Sequence, residues 1–277
     1  RAVAAHDDDM DFASLLSAML MGIVEGLTEF LPVSSTGHLI LLGEAIGFQG
    51  PPGKTFEISI QFGAILAVIW RFRETLLRIA RGMWQRGSVE YYFALNLLLA
   101  FLPAMVLGAT LYKPITQLLY TPLVVALALI LGGVAIIAIE RLRPAPSIHS
   151  VPEIGPLAAL LIGFGQALAM IPGTSRSGAT IISALLVGVD RRTAAEFSFL
   201  LAVPTMLAAT VFSLWKNRAE IDLSAMGSIG VGFVVTFVVA LLVVRWLMAV
   251  ISRIGFTPFG WYRIALGCVI LVWLGLR

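Results

Sequence analysis

The sequence Pro-Gly-Thr-Ser-Arg-Ser-Gly at residues 172–178 breaks an otherwise apolar stretch that runs from Ile154 to Val189. This stretch is long enough for two half-length helices but short for two full crossings of a bilayer, which need about 20 residues each. The proline removes a helical hydrogen bond, and the glycines loosen the turn. Because non-helical backbone at membrane depth persists only where protein or trapped water satisfies it, we predict a re-entrant helix–loop–helix hairpin. A pair of kinked spanning helices is the alternative.

A second broken stretch runs from Phe12 to Ile46 and is interrupted by Pro-Val-Ser-Ser-Thr-Gly-His at residues 32–38. The two interruptions resemble each other when one residue is inserted into the first. Each is followed by a Glu-x-Ser sequence, at residues 57–59 and 196–198. The chain is therefore predicted to contain two related halves, each beginning with a hairpin.

Six further stretches are long and apolar enough to span a membrane. They cover approximately residues 56–72, 92–111, 121–139, 194–214, 227–250 and 258–276. Three spans follow each hairpin, and because three is odd, the second half is predicted to lie upside down relative to the first. The predicted fold is an all-α integral membrane protein with six transmembrane helices and two re-entrant hairpins in an inverted-topology repeat.

The predicted domain organisation is one polytopic membrane domain over residues 10–277. Its first repeat covers about residues 12–140 and its second about residues 154–276. Residues 1–9 are polar and acidic and lack the basic start and apolar core of a signal peptide. We interpret them as an added prefix, with Met10 as the native start.

The composition excludes a soluble enzyme. Of the 277 residues, 59% are hydrophobic and only 13% are charged, about half of the ~25% in an average soluble domain. The mean hydropathy is +0.95. The net charge is only +3, and the arginines lie between apolar runs instead of on one face, so we expect no nucleic-acid partner. The single cysteine, Cys268, permits no internal disulfide.

The basic residues follow the positive-inside rule when the segment from Arg71 to Arg86 is placed in the cytoplasm. The predicted outer side then receives only Lys54, Lys113, Lys216, Arg218 and Arg277. The predicted cytoplasmic side receives Arg71, Arg73, Arg78, Arg81, Arg86, Arg141, Arg143, Arg191, Arg192, Arg245 and Arg253. In this orientation the hairpins enter from opposite faces, and their loops are expected to approach each other near the midplane, where such folds build sites.

Arg176 is the strongest single indication of function. It is the only charged residue between Ile154 and Val189, and burying an arginine in a membrane costs about 2.5–3.5 kcal/mol even on lenient scales. Ser175, Ser177 and Gly178 surround it at an expected helix start. A planar guanidinium with hydroxyls and free amides is typical of a phosphate site.

Two carboxylates lie on one helix face shortly before the first loop. Glu25 and Glu29 are four residues apart, a spacing that places both on the same side of a helix. Their neighbours are apolar or small. Two such carboxylates either ligate a divalent cation or act as general acid and base; a wet helix face is the alternative.

The first loop carries Ser34, Ser35, Thr36 and His38. We expect at least one hydroxyl to cap the returning helix. The functional interpretation is a hydroxyl nucleophile next to a histidine base, because serine alone is a weak nucleophile. His38 is the only histidine within an apolar segment.

The chain closely resembles the undecaprenyl-pyrophosphate phosphatases, also known as bacitracin-resistance proteins. The resemblance covers nearly all residues after Met10. It rests on Glu-Gly-Leu-Thr-Glu-Phe-Leu-Pro-Val-Ser-Ser-Thr-Gly-His at residues 25–38, on Pro-Gly-Thr-Ser-Arg-Ser-Gly-Ala-Thr at residues 172–180 and on Glu-Phe-Ser-Phe-Leu-Leu-Ala-Val-Pro at residues 196–204.

This resemblance implies a divalent-cation-dependent enzyme, with Mg²⁺ or Ca²⁺, that cleaves the terminal phosphate of a C55 polyprenyl diphosphate. It implies a multi-pass protein of the bacterial inner membrane whose site faces the periplasm. The implied catalytic residues are Glu25, Glu29, Ser35, His38 and Arg176; the implied phosphate contacts are Ser34, Thr36, Ser175, Ser177 and Gly178; the implied metal ligands are Glu25 and Glu29.

The sequence leaves open an alternative function and the oligomeric state. Inverted repeats with broken helices also indicate transporters, so a polyprenyl-phosphate transporter or flippase is the other candidate function. The set of hydroxyl, histidine, carboxylates and arginine favours hydrolysis, since passage alone does not require it. The oligomeric state, including a homodimer, is not fixed by the sequence.

Overall fold

The computed structural model describes residues 12–48, 50, 54–119, 121–216 and 226–276. This part of the chain is all-helical, with eleven α-helices, two short 3-10 helices and no strand apart from an isolated bridge between Ile148 and Val189. The predicted all-α class is confirmed. The predicted prefix and the native start at Met10 lie outside the described residues.

The helices follow the apolar runs of the sequence. In chain order they are α1 (Phe12–Thr28), α2 (Ser35–Ala45), α3 (Thr55–Arg71), α4 (Arg73–Gly82), α5 (Val89–Leu119), α6 (Pro122–Leu142), α7 (Pro156–Ala167), α8 (Arg176–Leu186), α9 (Arg191–Lys216), α10 (Met226–Ile254) and α11 (Thr257–Gly275).

The six predicted spans all correspond to helices. Five helices (α5, α6, α9, α10 and α11) are by themselves long and apolar enough to cross a membrane. The sixth prediction falls on α3, which has 17 residues and qualifies only together with α4, from which it is bent by 75°. The protein is therefore a multi-pass membrane protein, with five or six spans in the described part of the chain by the length and composition of its helices.

The segment from Arg71 to Arg86 is not the loop that the sequence analysis assumed, because α4 occupies most of it. On one face Ile79 is buried and Leu76 packs on the core, whereas Leu77 is 52% exposed. Its arginines occupy the other face. The many charges hid a short amphipathic helix, of the kind that lies along a membrane surface.

The helix packing exchanges partners between the two halves of the chain. α1 packs against α10, and its counterpart α7 packs against α5, the counterpart of α10. Small residues permit these approaches: a Cβ on Gly22 would lie 2.6 Å from the carbonyl oxygen of Gly232. α6 packs against α11, which holds the corresponding position in the second half. This exchange supports the predicted repeats.

The two predicted hairpins, α1–α2 and α7–α8, have loops of the same backbone shape. Ser34 and Ser175 both have φ of 70°, and the helix that follows each begins at the next residue, Ser35 or Arg176. Equivalent positions are therefore 141 apart in both cases, as the predicted alignment of Ser34 with Ser175 requires. The inserted residue lies before these positions, between the proline and the serine, and stays a prediction. The re-entrant path and the inverted orientation stay predictions.

Candidate active site

The two loops meet at Glu29, which lies just after α1. Its Oε2 accepts a hydrogen bond of 2.5 Å from the Ser35 hydroxyl. Its Oε1 faces the Nη2 of Arg176 at 3.4 Å, although Arg176 lies 147 residues further along the chain. The expectation that the loops around Ser35 and Arg176 approach each other is confirmed.

Arg176 begins α8, and its side chain is only 12% exposed. Its Nη1 donates to the carbonyl oxygen of Ser198 in α9 at 3.2 Å, and its guanidinium lies 5.6 Å from the centroid of the Phe30 ring. Its Nε is buried and has no hydrogen-bond partner among the described residues. One donor of the guanidinium is thus available to a ligand.

Glu25 lies one turn before Glu29, with the side chain directed into the protein. The residue is 2% exposed, and its Oε2 has no hydrogen-bond partner in the described part of the chain. A buried polar atom without a partner is costly and calls for an explanation, such as a catalytic role or a bound water or ion. No group of three or more His, Cys, Asp or Glu side chains suited to a metal occurs among the described residues.

His38 lies in the first turn of α2, and both of its ring nitrogens are engaged. Nδ1 is 2.8 Å from the carbonyl oxygen of Ser34, and Nε2 is 2.7 Å from the Tyr262 hydroxyl. Because a carbonyl oxygen only accepts, Nδ1 carries the proton, and Nε2 of the neutral ring accepts from Tyr262. The Ser35 hydroxyl therefore donates to Glu29 instead of to the histidine expected as its base.

The hydroxyls of the second loop hold the loops in place. Ser175 caps α8 by accepting from the Gly178 amide at 3.1 Å. Ser177 is fully buried, lies 3.1 Å from the Ser175 hydroxyl and donates to the carbonyl oxygen of Leu31 in the first loop at 2.8 Å. These three predicted phosphate contacts all have protein partners in this structure.

The first loop differs at the same position. Ser34 precedes α2 but makes no capping hydrogen bond through its side chain, so the expected cap is not present there. Thr36 follows Ser35 in the first turn. The uncapped amides at the start of an 11-residue helix are suited to an anion, and they lie directly beside the Ser35 hydroxyl.

Arg263 is a central residue that the sequence analysis did not identify. It is fully buried in α11 and donates five hydrogen bonds. Two go to α6, at the carbonyls of Leu129 (3.3 Å) and Ala128 (3.0 Å). Three go to the loops, at the carbonyls of Pro32 (3.3 Å), Thr174 (2.8 Å) and Gly173 (3.0 Å). Arg263 therefore binds the backbone of both loops.

The signal that identified Arg176 also applied to Arg263, since it is the only charged residue in the predicted span 258–276. Tyr262 had no comparable signal. Its aromatic side chain is typical of a helix near a membrane surface, and its contact with His38 joins residues 224 positions apart.

The site brings together a hydroxyl, a carboxylate and a guanidinium. The Ser35 hydroxyl is bonded to a carboxylate, and a buried guanidinium lies on the other oxygen of the same carboxylate. In phosphoryl transfer a base removes the proton of an attacking hydroxyl, and a cationic group such as a guanidinium holds the phosphate oxygens. These groups are suited to that chemistry.

Known proteins are similar in sequence to this chain over nearly its whole length. The family described as "Bacitracin resistance protein BacA" matches residues 18–269. The chain is 53% identical over 263 residues to "Undecaprenyl-diphosphatase 2" of Paramagnetospirillum magneticum, covering 95% of this chain and 100% of that protein. It is 53% identical over 262 residues to "Undecaprenyl-diphosphatase" of Rhizorhabdus wittichii, covering 94% and 98%.

A protein named "Undecaprenyl-diphosphatase" of Sphingopyxis alaskensis is 51% identical over 260 residues, with 94% of this chain and 98% of that protein covered. Similarity of this extent includes both loops and every helix that contributes to the site. The chain belongs to the bacitracin resistance protein BacA family.

Proposed function

We propose that this protein hydrolyses undecaprenyl diphosphate to undecaprenyl phosphate and phosphate. The names of the relatives support this substrate. The observation that carries the proposal is a pair of buried atoms without partners among the described residues: Arg176 Nε, on the guanidinium that pairs with Glu29, and Glu25 Oε2, one helical turn before Glu29. The Arg176 N–H is suited to donate to an oxygen of a diphosphate, and the Glu25 oxygen is suited to bind the cation that accompanies it.

In the proposed reaction the Ser35 oxygen attacks the distal phosphorus and its proton passes to Glu29. The bond between that phosphorus and the bridging oxygen breaks, and the polyprenyl monophosphate leaves. Water then hydrolyses the phosphoserine, releasing phosphate and restoring the Ser35 hydroxyl. Arg176 holds the equatorial oxygens of the distal phosphate through its planar fork, and the uncapped start of α2 offers amides to the same group.

Glu29 is proposed as the base because it accepts the Ser35 hydrogen bond in this structure. The other oxygen of the same carboxylate pairs with Arg176. A phosphate bound to Arg176 replaces Glu29 as the partner of the guanidinium. The Glu29 carboxylate is then free to accept the Ser35 proton. His38, held through Nδ1 and Nε2, is proposed to keep the Ser34 carbonyl and the start of α2 in position.

A divalent cation, Mg²⁺ or Ca²⁺, fits the residues of the site. Glu25 and Glu29 would hold it, and the unpartnered Glu25 oxygen is the observation in favour. Mg²⁺ is commonly bound by one or two carboxylates together with phosphate oxygens of the substrate, so the absence of a third protein ligand among the described residues is compatible with it. The cation would neutralise charge on the diphosphate.

The proposed setting is the bacterial inner membrane, with the site open to the periplasm. The arginine distribution and the resemblance both favour this orientation. There the reaction would return the lipid carrier for peptidoglycan synthesis and oppose bacitracin.

Phosphate release from undecaprenyl diphosphate by the purified protein in detergent tests the function. In detergent no transport is scored, so release distinguishes an enzyme from a transporter or flippase. We expect release by the parent protein and none above background from a Ser35→Ala variant purified in parallel. If the folded parent protein releases no phosphate with either cation present, the hydrolase proposal fails.

Removing the cation tests the metal proposal. Excess chelator is expected to abolish phosphate release, and added Mg²⁺ or Ca²⁺ to restore it. Glu25→Gln is expected to raise the cation concentration needed for half-maximal activity by at least about tenfold. Loss of even a residue that supports a metal ligand typically lowers metal affinity 10–100-fold. Glu44→Gln, in α2, is the matched control. Full activity in excess chelator would refute the metal role.

A further inference from the structure

A cavity lined by arginines lies outside the candidate active site, at the bend between α3 and α4. A cavity of about 530 Å³ is lined there by residues 70–75 and by Leu241 and Arg245 of α10. It shares no residue with the site around Glu29 and Arg176. Its size falls within the usual range for a small-molecule or headgroup pocket, about 300–1,000 Å³.

The cavity carries more positive than negative charge. Arg71, Arg73 and Arg245 line it, opposed by Glu74 alone. The Arg73–Glu74 pair is 3.6 Å long and its side chains are 50% and 88% exposed, so it is a weak, solvated contact. Across the described residues, no carboxylate lies within ion-pair distance of Arg71 or Arg245. The Arg245 guanidinium is therefore available to an anion, and the Glu196 carboxylate of α9 interacts with Arg71 only from beyond ion-pair distance.

Two of the arginines are held in position by neighbouring groups. The Arg73 guanidinium lies 5.2 Å from the centroid of the Trp70 ring, and its Nη1 donates to the Trp70 carbonyl oxygen at 3.0 Å. The Arg71 guanidinium lies 5.2 Å from the centroid of the Phe72 ring. Cations placed over aromatic rings lose less freedom when a ligand binds.

The cavity lies where apolar helix changes to polar surface. α3 is apolar from Phe62 to Trp70, and α4 turns away by 75° with arginines on one face. Trp70 is 56% exposed, as is typical of tryptophan at the boundary between acyl chains and headgroups. Leu241 forms part of the wall. A ligand of this cavity would therefore have an anionic head at the boundary and an apolar portion beside Leu241 and Trp70.

We propose that this cavity binds the phosphate headgroup of an anionic phospholipid from the surrounding bilayer. Arginine pairs phosphate oxygens with two parallel hydrogen bonds, and basic pockets between membrane helices are suited to phospholipid headgroups. The proposal is independent of the hydrolase proposal, because it concerns binding at residues that the proposed reaction does not use.

Native mass spectrometry of the detergent-purified protein, titrated with phosphatidylglycerol or phosphatidylcholine, tests the site. We expect saturable binding of phosphatidylglycerol in preference to phosphatidylcholine. The double variant Arg71→Gln/Arg245→Gln is expected to bind it about 30-fold more weakly, since one basic residue near an anionic surface is worth about fivefold. The matched control, Arg141→Gln/Arg253→Gln, removes two exposed arginines with the same change in net charge and should bind like the parent.

Equal losses in the two double variants would overturn the proposal, because they would show attraction by overall charge. So would displacement of phosphatidylglycerol by equimolar inorganic phosphate or undecaprenyl phosphate, which would identify a different phosphate as the ligand. The thermal unfolding midpoint of each variant verifies that it is folded. Since binding is read directly, failure of the hydrolase proposal would leave this result unchanged.

Discussion

Arg176 and Arg263 are both buried guanidinium groups, yet their hydrogen bonds give them different roles. Arg263 uses all five of its N–H groups on backbone carbonyls, and a guanidinium has five in total. Arg176 leaves Nε without a partner and shares an acidic partner with the Ser35 hydroxyl. The arginine with an open donor is the one suited to substrate, and the saturated one is suited to holding the backbone.

Replacing Arg176 by lysine tests whether the planar fork matters. Arg176→Lys keeps the positive charge but loses the paired donors, so kcat/KM for phosphate release is expected to fall by at least about 10²-fold, as when one oxyanion donor is removed. Arg192→Lys, at the exposed start of α9, should retain the parent rate. A near-parental rate for Arg176→Lys would mean that the residue acts only as a counter-charge.

Single and double substitutions separate a serine nucleophile from direct attack by water. If Ser35 attacks and Glu29 accepts its proton, Ser35→Ala and Glu29→Gln each leave almost no activity, and the double variant is little worse, because residues that act as a unit are non-additive. His38→Gln should retain more activity than either. Rapid quench with substrate labelled in the distal phosphate should place label on Ser35. Residual turnover in Ser35→Ala without that label would assign the attack to water.

At the scale of helices and loops, the site depends on two loops that interrupt helical hairpins and are held together by side chains of other elements. The loop after α1 and the loop before α8 touch through the Ser177–Leu31 hydrogen bond. Arg263 joins both to α6 and α11. Non-helical backbone in a membrane needs such internal partners, and here one side chain of α11 supplies three of them.

Substituting Arg263 should loosen both loops together. Arg263→Met leaves five carbonyls without their donor, and because hydrogen bonds to charged groups are worth about 1.5–3 kcal/mol each, we expect a clearly lower thermal unfolding midpoint and loss of phosphate release. Arg263→Lys should recover part of both. The control Arg253→Met removes an exposed arginine. An Arg263→Met protein that unfolds at the parental temperature would contradict this role.

Periodicity and length predicted the elements well, and the site in part. Apolar runs located six helices, and Pro and Gly located both loops, because these signals are local. α4 was missed since its 10 residues carry many charges, which hide a one-sided apolar pattern in so short a segment. The Ser35–Glu29 bond lies within six residues but requires the turn at Pro32. The His38–Tyr262 contact depends on tertiary packing and could not be predicted.

At the scale of the whole molecule, the predicted orientation combines the helix order with the arginine count. The exchange of packing partners between α1–α10 and α7–α5 is what a rotation that interchanges the halves produces. The basic residues then fix which face is inside. The packing and the arginines concern different residues, and the orientation in the membrane stays a prediction.

Cysteine labelling in intact cells tests this topology. In a Cys268→Ser background, Lys54→Cys is expected to react with a membrane-impermeant maleimide from outside, whereas Arg81→Cys should react only after permeabilisation. Both positions are exposed, so differences in reactivity report the side of the membrane. Equal labelling of both positions in intact cells would rule out the predicted orientation.

Ser35 and Arg176 follow the two serines with φ of 70° and so occupy the same place in two copies of one backbone. If two identical half-length chains assembled in this way, they would present two serines or two arginines at the centre, and never one of each. A hydroxyl opposite a guanidinium therefore requires the two copies to differ in sequence. In this chain the two loops carry different side chains on one backbone shape, Ser35 in the first and Arg176 in the second.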